Sequence, residues 1–159
     1  MKKALFISAI LPLFAFLFSG CSESAPEIPL KTAVAQVYSQ VLDPYGEGWL
    51  SEFDEQRAVE ELGISAALYT ESSVYASSKP SRCTLLAGFC PAEEKADVLQ
   101  ETLQKVKEGA VIAFDGYLPD QYQIAKSAEI KQYNGYCFLI MTEDNEKVSR
   151  ALEEALNGR

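Results

Sequence analysis

An α+β domain is what the 159-residue sequence predicts: one mixed, mainly antiparallel four-stranded sheet with helices packed on one face, preceded by two amino-terminal helices. Three observations lead there. A strand-strand-helix unit recurs twice between residues 66 and 156. The dipeptide Asn134-Gly135 lies between two apolar runs, a strong signal for a two-residue hairpin. Elsewhere apolar residues recur at three- and four-residue intervals, the period of a helix that buries one face. This order of elements suits a single sheet carrying a layer of helices.

The first helix takes Leu30, Val34, Val37 and Val41 into its apolar stripe. The segment Asp43 to Gly48 breaks it with Pro44, Gly46 and Gly48. Ser51 and Asp54 stand at capping-box spacing and open a second helix with Phe53, Ala58, Val59 and Leu62. Gly63 is placed to end it. Residues Ala66 to Ala76 read as a strand, and Pro80 marks the turn after it. The run Cys83 to Phe89 is compact and apolar, as expected of a buried strand. Pro91 suits the first turn of the next helix, with Glu93 and Glu94 near its positive end. Its stripe is Ala96, Leu99, Leu103, Val106, Ala110 and Phe114. Tyr117-Leu118-Pro119 marks a break, followed by a short helical piece over residues 120–126. Strands over Ala128–Tyr133 and Tyr136–Met141 flank the hairpin turn, and Glu143 to Leu156 is a closing helix. The second and fourth strands run straight into helices, which places them centrally in the sheet.

Ahead of this domain stands a segment of different character. Lys2 and Lys3 precede an apolar run from Ala4 to Phe18, and small residues Ser19 and Gly20 lead directly into Cys21. A charged start, a short apolar core and a small-residue exit describe a secretory signal. The core is short for a membrane-spanning helix, which needs about 20 apolar residues. Leu17-Phe18-Ser19-Gly20-Cys21 resembles the bacterial lipobox, with Phe18 where leucine is usual. The resemblance implies cleavage before Cys21 and a diacylglyceryl group on its sulfur. Two acyl chains anchor stably where one does so only marginally. The expected organisation is a signal peptide over 1–20, a lipidated spacer over 21–29 containing Pro26 and Pro29, and a single domain over 30–159.

Charge and composition narrow the function. Of 14 lysines and arginines, Lys2 and Lys3 leave with the signal, so 12 face 23 acidic residues, a net of −11. Such a surface opposes nucleic acid and anionic lipid, so no nucleic-acid partner is expected and the lipid must supply the membrane affinity. Histidine is absent, which removes the commonest general base and metal ligand. No metal or cofactor site is expected, and a zinc enzyme or serine-histidine-aspartate hydrolase in its usual form is excluded.

The features from Gly63-Ile64 onward carry a family resemblance. They are the Leu85-Leu86 strand, the long helix leading into Tyr117-Leu118-Pro119, the Asn134-Gly135-Tyr136 hairpin and the last helix. In this order and spacing, from about Tyr45 to Leu156, the chain resembles a family of small bacterial lipoproteins known as domain of unknown function number 4358. The resemblance implies a fold and an envelope location, and no catalytic activity.

Three sets of side chains could carry chemistry. Cys83, Cys90 and Cys137 lie in a domain expected outside the cytoplasm, where thiols can oxidise. Cys83 and Cys90 are too far apart along an extended strand to bond. Cys83 and Cys137 could meet if their strands are parallel neighbours; otherwise all three act as small apolar residues. Asp115 and Asp120, with Tyr122 nearby, could serve as an acid and base pair or be ordinary surface charges. Tyr45 and Trp49 sit around Gly46 and Gly48. They could bind a glycan or a protein, or pack the first helix onto the sheet, the reading favoured for a lone tryptophan. The expected function is a non-enzymatic binding or accessory module on the extracytoplasmic face of a membrane, contacting an envelope protein or wall polymer. The alternative is a small carboxylate-dependent envelope hydrolase.

Overall fold

The computed structural model describes residues 28–158. The signal segment, Cys21 and the spacer up to residue 27 lie outside the described residues. Five strands form one sheet: β1 (Leu50–Phe53), β2 (Tyr69–Ser77), β3 (Leu85–Pro91), β4 (Glu129–Tyr133) and β5 (Tyr136–Met141). Their spatial order is β1-β2-β3-β5-β4, and every neighbouring pair is antiparallel. The helices are α1 (Leu30–Val37), α2 (Glu55–Leu62), α3 (Ala96–Phe114), α4 (Pro119–Ser127) and α5 (Asn145–Leu156).

This corrects the expected fold in three respects. The sheet has five strands where four were expected, because the segment read as the start of the second helix is β1. Leu50 pairs with Ser77 and Phe53 with Val74. The helix begins after Asp54, whose carboxylate accepts the Arg57 N–H at 2.8 Å. A capping signal was present, but Asp54 caps the helix, and Ser51 belongs to the strand. Four residues are too few for alternation to announce a strand.

Second, the sheet holds no parallel pair. The interior strands β3 and β5 run antiparallel, with Leu85 opposite Met141 and Phe89 opposite Cys137. Their central placement agrees with the sequence reading; their relative direction does not.

Third, helices cover both faces. One face of the sheet packs Leu85, Ala87, Phe89, Cys137, Leu139 and Met141 against Leu99 and Leu103 of α3 and Ile124 and Ala125 of α4. The other packs Leu86, Phe138 and Ile140 against Leu30, Ala33, Val34 and Val37 of α1 and Val148 and Leu152 of α5. The sequence held the clue, since β5 is apolar at all six positions. A strand with one wet face alternates; a strand covered on both faces does not.

Smaller boundaries also move. Pro91 closes β3 opposite Tyr69, and α3 starts five residues later at Ala96. The hairpin turn is as expected: Asn134 and Gly135 both take positive φ, at 49° and 80°, between paired Tyr133 and Tyr136.

Gly88 shows how closely α1 sits on the sheet. A Cβ there would lie 2.7 Å from the Phe138 ring and 2.9 Å from the Leu30 side chain. Gly88→Ala is therefore expected to destabilise by about 1–3 kcal/mol through overpacking, read as a lower denaturant midpoint at unchanged slope.

Candidate functional site

The turn after α1 is built with unusual care. Residues Tyr38–Leu42 continue α1 as a wider π-type turn, with the Asp43 N–H donating to the Tyr38 carbonyl at 2.8 Å. Such turns are rare and recur at functional sites. The Tyr38 ring stacks on Tyr75 of β2, centroids 4.3 Å apart, and its hydroxyl donates to the Asp43 carboxylate at 2.8 Å.

Asp43 organises the loop beyond it. It is buried, and its carboxylate also accepts the N–H groups of Glu47 at 2.7 Å and Gly48 at 2.8 Å. Aspartate bonding to nearby downstream backbone is the usual way to fix a tight loop. Gly46 and Gly48 each adopt φ of 67°, a left-handed conformation that glycine takes without steric cost. Burial alone would raise the Asp43 pKa. The hydrogen bonds from Gly48, Tyr38 and Glu47 outweigh it and hold the carboxyl below its ordinary range.

This loop displays Tyr45 and Trp49. Tyr45 is 87 % exposed and Trp49 46 %, so Tyr45 does not pack the first helix onto the sheet as the sequence suggested, and nearly half of Trp49 faces outward. The indole N–H donates to Glu47, and the Arg82 guanidinium lies 4.3 Å above the indole ring. Together they fix the ring at the mouth of a groove of about 530 Å³. The opposite wall is the β5–α5 junction, with Thr142, Glu143, Asp144 and Lys147. Buried Asn145 holds that wall by accepting the Thr142 N–H and hydroxyl and donating to the Ser127 carbonyl.

A pH dependence follows from Asp43. Its folded pKa is lowered, so its stabilising contribution is complete above the unfolded value of about 3.9 and is lost as pH falls through the lower folded value. The stability gap between the wild type and Asp43→Asn is expected to be constant from about pH 8 to about pH 5 and to close in stronger acid. Urea titrations at a series of pH values measure it.

The remaining candidates do not converge on the groove. Asp115 ends α3 and Asp120 opens α4; both are exposed, and neither lines the groove or the apolar hollow beneath α3, which is bordered by Phe53, Leu85, Val106 and Phe114. Tyr122 is half-buried, with Lys126 5.7 Å from its ring.

Cys83, Cys90 and Cys137 are free thiols. The antiparallel register sets Cys83 and Cys137 at opposite ends of the β3–β5 pair. Cys137 lies level with Phe89, six residues beyond Cys83 and roughly 20 Å along an extended chain, while a disulfide needs α-carbons within about 7 Å. Their meeting required parallel neighbouring strands, and the antiparallel register does not supply them. Burial pushes the Cys83 and Cys137 thiols up, away from the reactive thiolate. The Cys83 thiol donates to the Gln121 carbonyl at 3.2 Å, joining the segment just before β3 to α4. Among the described residues, no group of three candidate ligands could hold a metal ion, and no helix is long and apolar enough to cross a membrane.

Sequence reasoning missed Asp43, Arg82 and Asn145. For Asp43 a signal existed: an aspartate followed by Gly46 and Gly48 fits a carboxylate-bound loop. Nothing in the sequence brings Arg82, 33 residues away, onto Trp49.

Fold and groove define a small antiparallel domain, helix-covered on both faces, with a rigid aromatic loop at one end. Residues 45–142 match the family described as domain of unknown function DUF4358, and the chain belongs to that family. The match opens at Tyr45 and closes at Thr142, so it includes groove residues on both walls. No curated protein and no solved structure matches the chain.

Proposed function

We propose that the protein is a membrane-tethered binding module of the bacterial cell envelope. Diacylglycerol on Cys21 holds it on the extracytoplasmic face, and the groove beside Tyr45 and Trp49 contacts an envelope protein or wall polymer. The anchor rests on the signal-like segment ending in Ser19-Gly20-Cys21. The binding role rests on one observation: two aromatic side chains stand exposed on a loop locked by Asp43. Exposed aromatics that stay ordered offer contact area at low entropic cost on binding.

The test compares full-length protein with the Tyr45→Ala, Trp49→Ala double variant in intact cells, scoring crosslinked partner and co-sedimentation with cell wall. The double variant is expected to keep its membrane location and stay folded, with Tyr45→Ala costing under about 0.5 kcal/mol and Trp49→Ala about 1 kcal/mol through its lost contact with Arg82. It should lose at least about tenfold in capture, as hot-spot aromatics do. Full capture by a folded double variant would overturn the binding role. Intact mass of the membrane-extracted protein tests the anchor separately: a Cys21 without lipid mass would overturn it.

A further inference from the structure

We infer that the groove takes a neutral, polyhydroxylated ring ligand, a glycan segment stacked on Tyr45 and Trp49; the inference rests on the binding role proposed above. The lining mixes signs at close quarters. Glu143 and Asp144 contribute carboxylates, Asp43 and Glu47 add negative charge while already bonded within the loop, and Arg82 and Lys147 contribute cations. The carboxylates outnumber the cations, on a domain already acidic, so a polyanion is repelled.

An apolar protein surface is also a poor fit. Protein interfaces deplete charge from their core, and pressing apolar side chains onto this lining would strip water from charged groups without replacing it. Hydroxyl groups donate and accept at one atom, so a sugar ring can satisfy carboxylates and cations side by side. The apolar C–H face of the same ring matches the Tyr45 ring and the part of the indole that Arg82 leaves exposed. Thr84 adds a hydroxyl to the lining. The Asp43 network and the positive-φ glycines hold this surface ready before binding, so little ordering entropy is lost when the ligand arrives.

Trp49 is the only tryptophan in the chain, so its fluorescence reports this groove alone. The full-length protein, in a detergent without a sugar headgroup, is titrated with two probes: a β-1,4-linked N-acetylglucosamine tetramer and a lysine-rich peptide of similar mass. The glycan should give a saturable change that shifts less than about twofold between about 50 mM and 500 mM salt, because no net charge is exchanged. Tyr45→Ala should weaken it at least about tenfold while leaving thermal unfolding unchanged. A response to the lysine-rich peptide alone, collapsing with salt, would overturn the glycan assignment. So would no response to either probe with partner capture in cells still dependent on Tyr45 and Trp49. In both cases the binding role survives. Loss of that dependence as well would overturn both.

Discussion

Phe138→Ala is expected to lower the free energy of unfolding by about 3–5 kcal/mol. Phe138 lies fully buried on β5, opposite Gly88 of β3. Its ring is flanked by Tyr133 at 5.9 Å and Tyr136 at 6.3 Å, tilted and edge-on, the arrangements aromatic pairs favour. On its other side stands α1, close enough that Gly88 cannot carry a Cβ without meeting both Phe138 and Leu30. Truncation leaves a cavity between two interior strands and a helix, where the backbone can collapse little. Urea denaturation should show the loss as a lower midpoint. Because α1 leads directly into the Tyr38–Leu42 turn, the groove should lose order as well. A loss under about 1 kcal/mol would mean that α1 is not seated on this face.

Asn145→Ala carries the second large effect, about 2–4 kcal/mol. Asn145 and Thr142 are both buried. The asparagine oxygen accepts the Thr142 N–H at 2.8 Å and hydroxyl at 2.9 Å, and its amide donates to the Ser127 carbonyl at 2.8 Å. One side chain thereby joins the end of β5, the start of α5 and the end of α4. Alanine leaves the buried Thr142 N–H without a partner, at about 1–3 kcal/mol, and removes one hydrogen bond from the carbonyl of exposed Ser127, at about 0.5–1.5 kcal/mol. Asn145→Asp keeps the acceptor for Thr142 but sets a carboxylate oxygen against the Ser127 carbonyl, so it should fall between the wild type and alanine only in acid, where its protonated carboxyl can donate. Thermal unfolding of the three proteins in acid measures the order. If alanine proves no worse than aspartate, the Thr142 bonds do not contribute.

The legible parts of the fold were those with a local cause. Gly63, at φ 69°, ends α2, and Asn134-Gly135 makes its turn, because each needs a conformation that few residues accept. The long stripe of α3 and the closing helix α5 were visible from periodicity alone. What escaped was set at a distance. β1 exists because β2 offers it a partner, and Leu50 to Phe53 says little without Ser77 to Val74 beside it. Strand direction and the second helical layer likewise depend on how chain segments meet. The same division holds for the site. Tyr45 and Trp49 were identifiable as unusual residues among glycines, yet their exposure became plain only with the Asp43 network in view. Arg82 reaches Trp49 through the β2–β3 turn, and Thr142 to Lys147 form the far wall through the β5–α5 junction; neither follows from spacing along the chain.

The most direct test of the groove as the contact surface compares two exposed positions in one experiment. A photo-crosslinking amino acid is placed at position 45 or at position 112 of the full-length protein in intact cells. Ile112 is 76 % exposed on α3 and lines neither the groove nor the apolar hollow beneath α3, so it serves as the matched surface control. A reproducible adduct from position 45, with none from position 112, is the predicted result. Adducts from position 112 alone, or none from either position, would contradict the assignment of the groove.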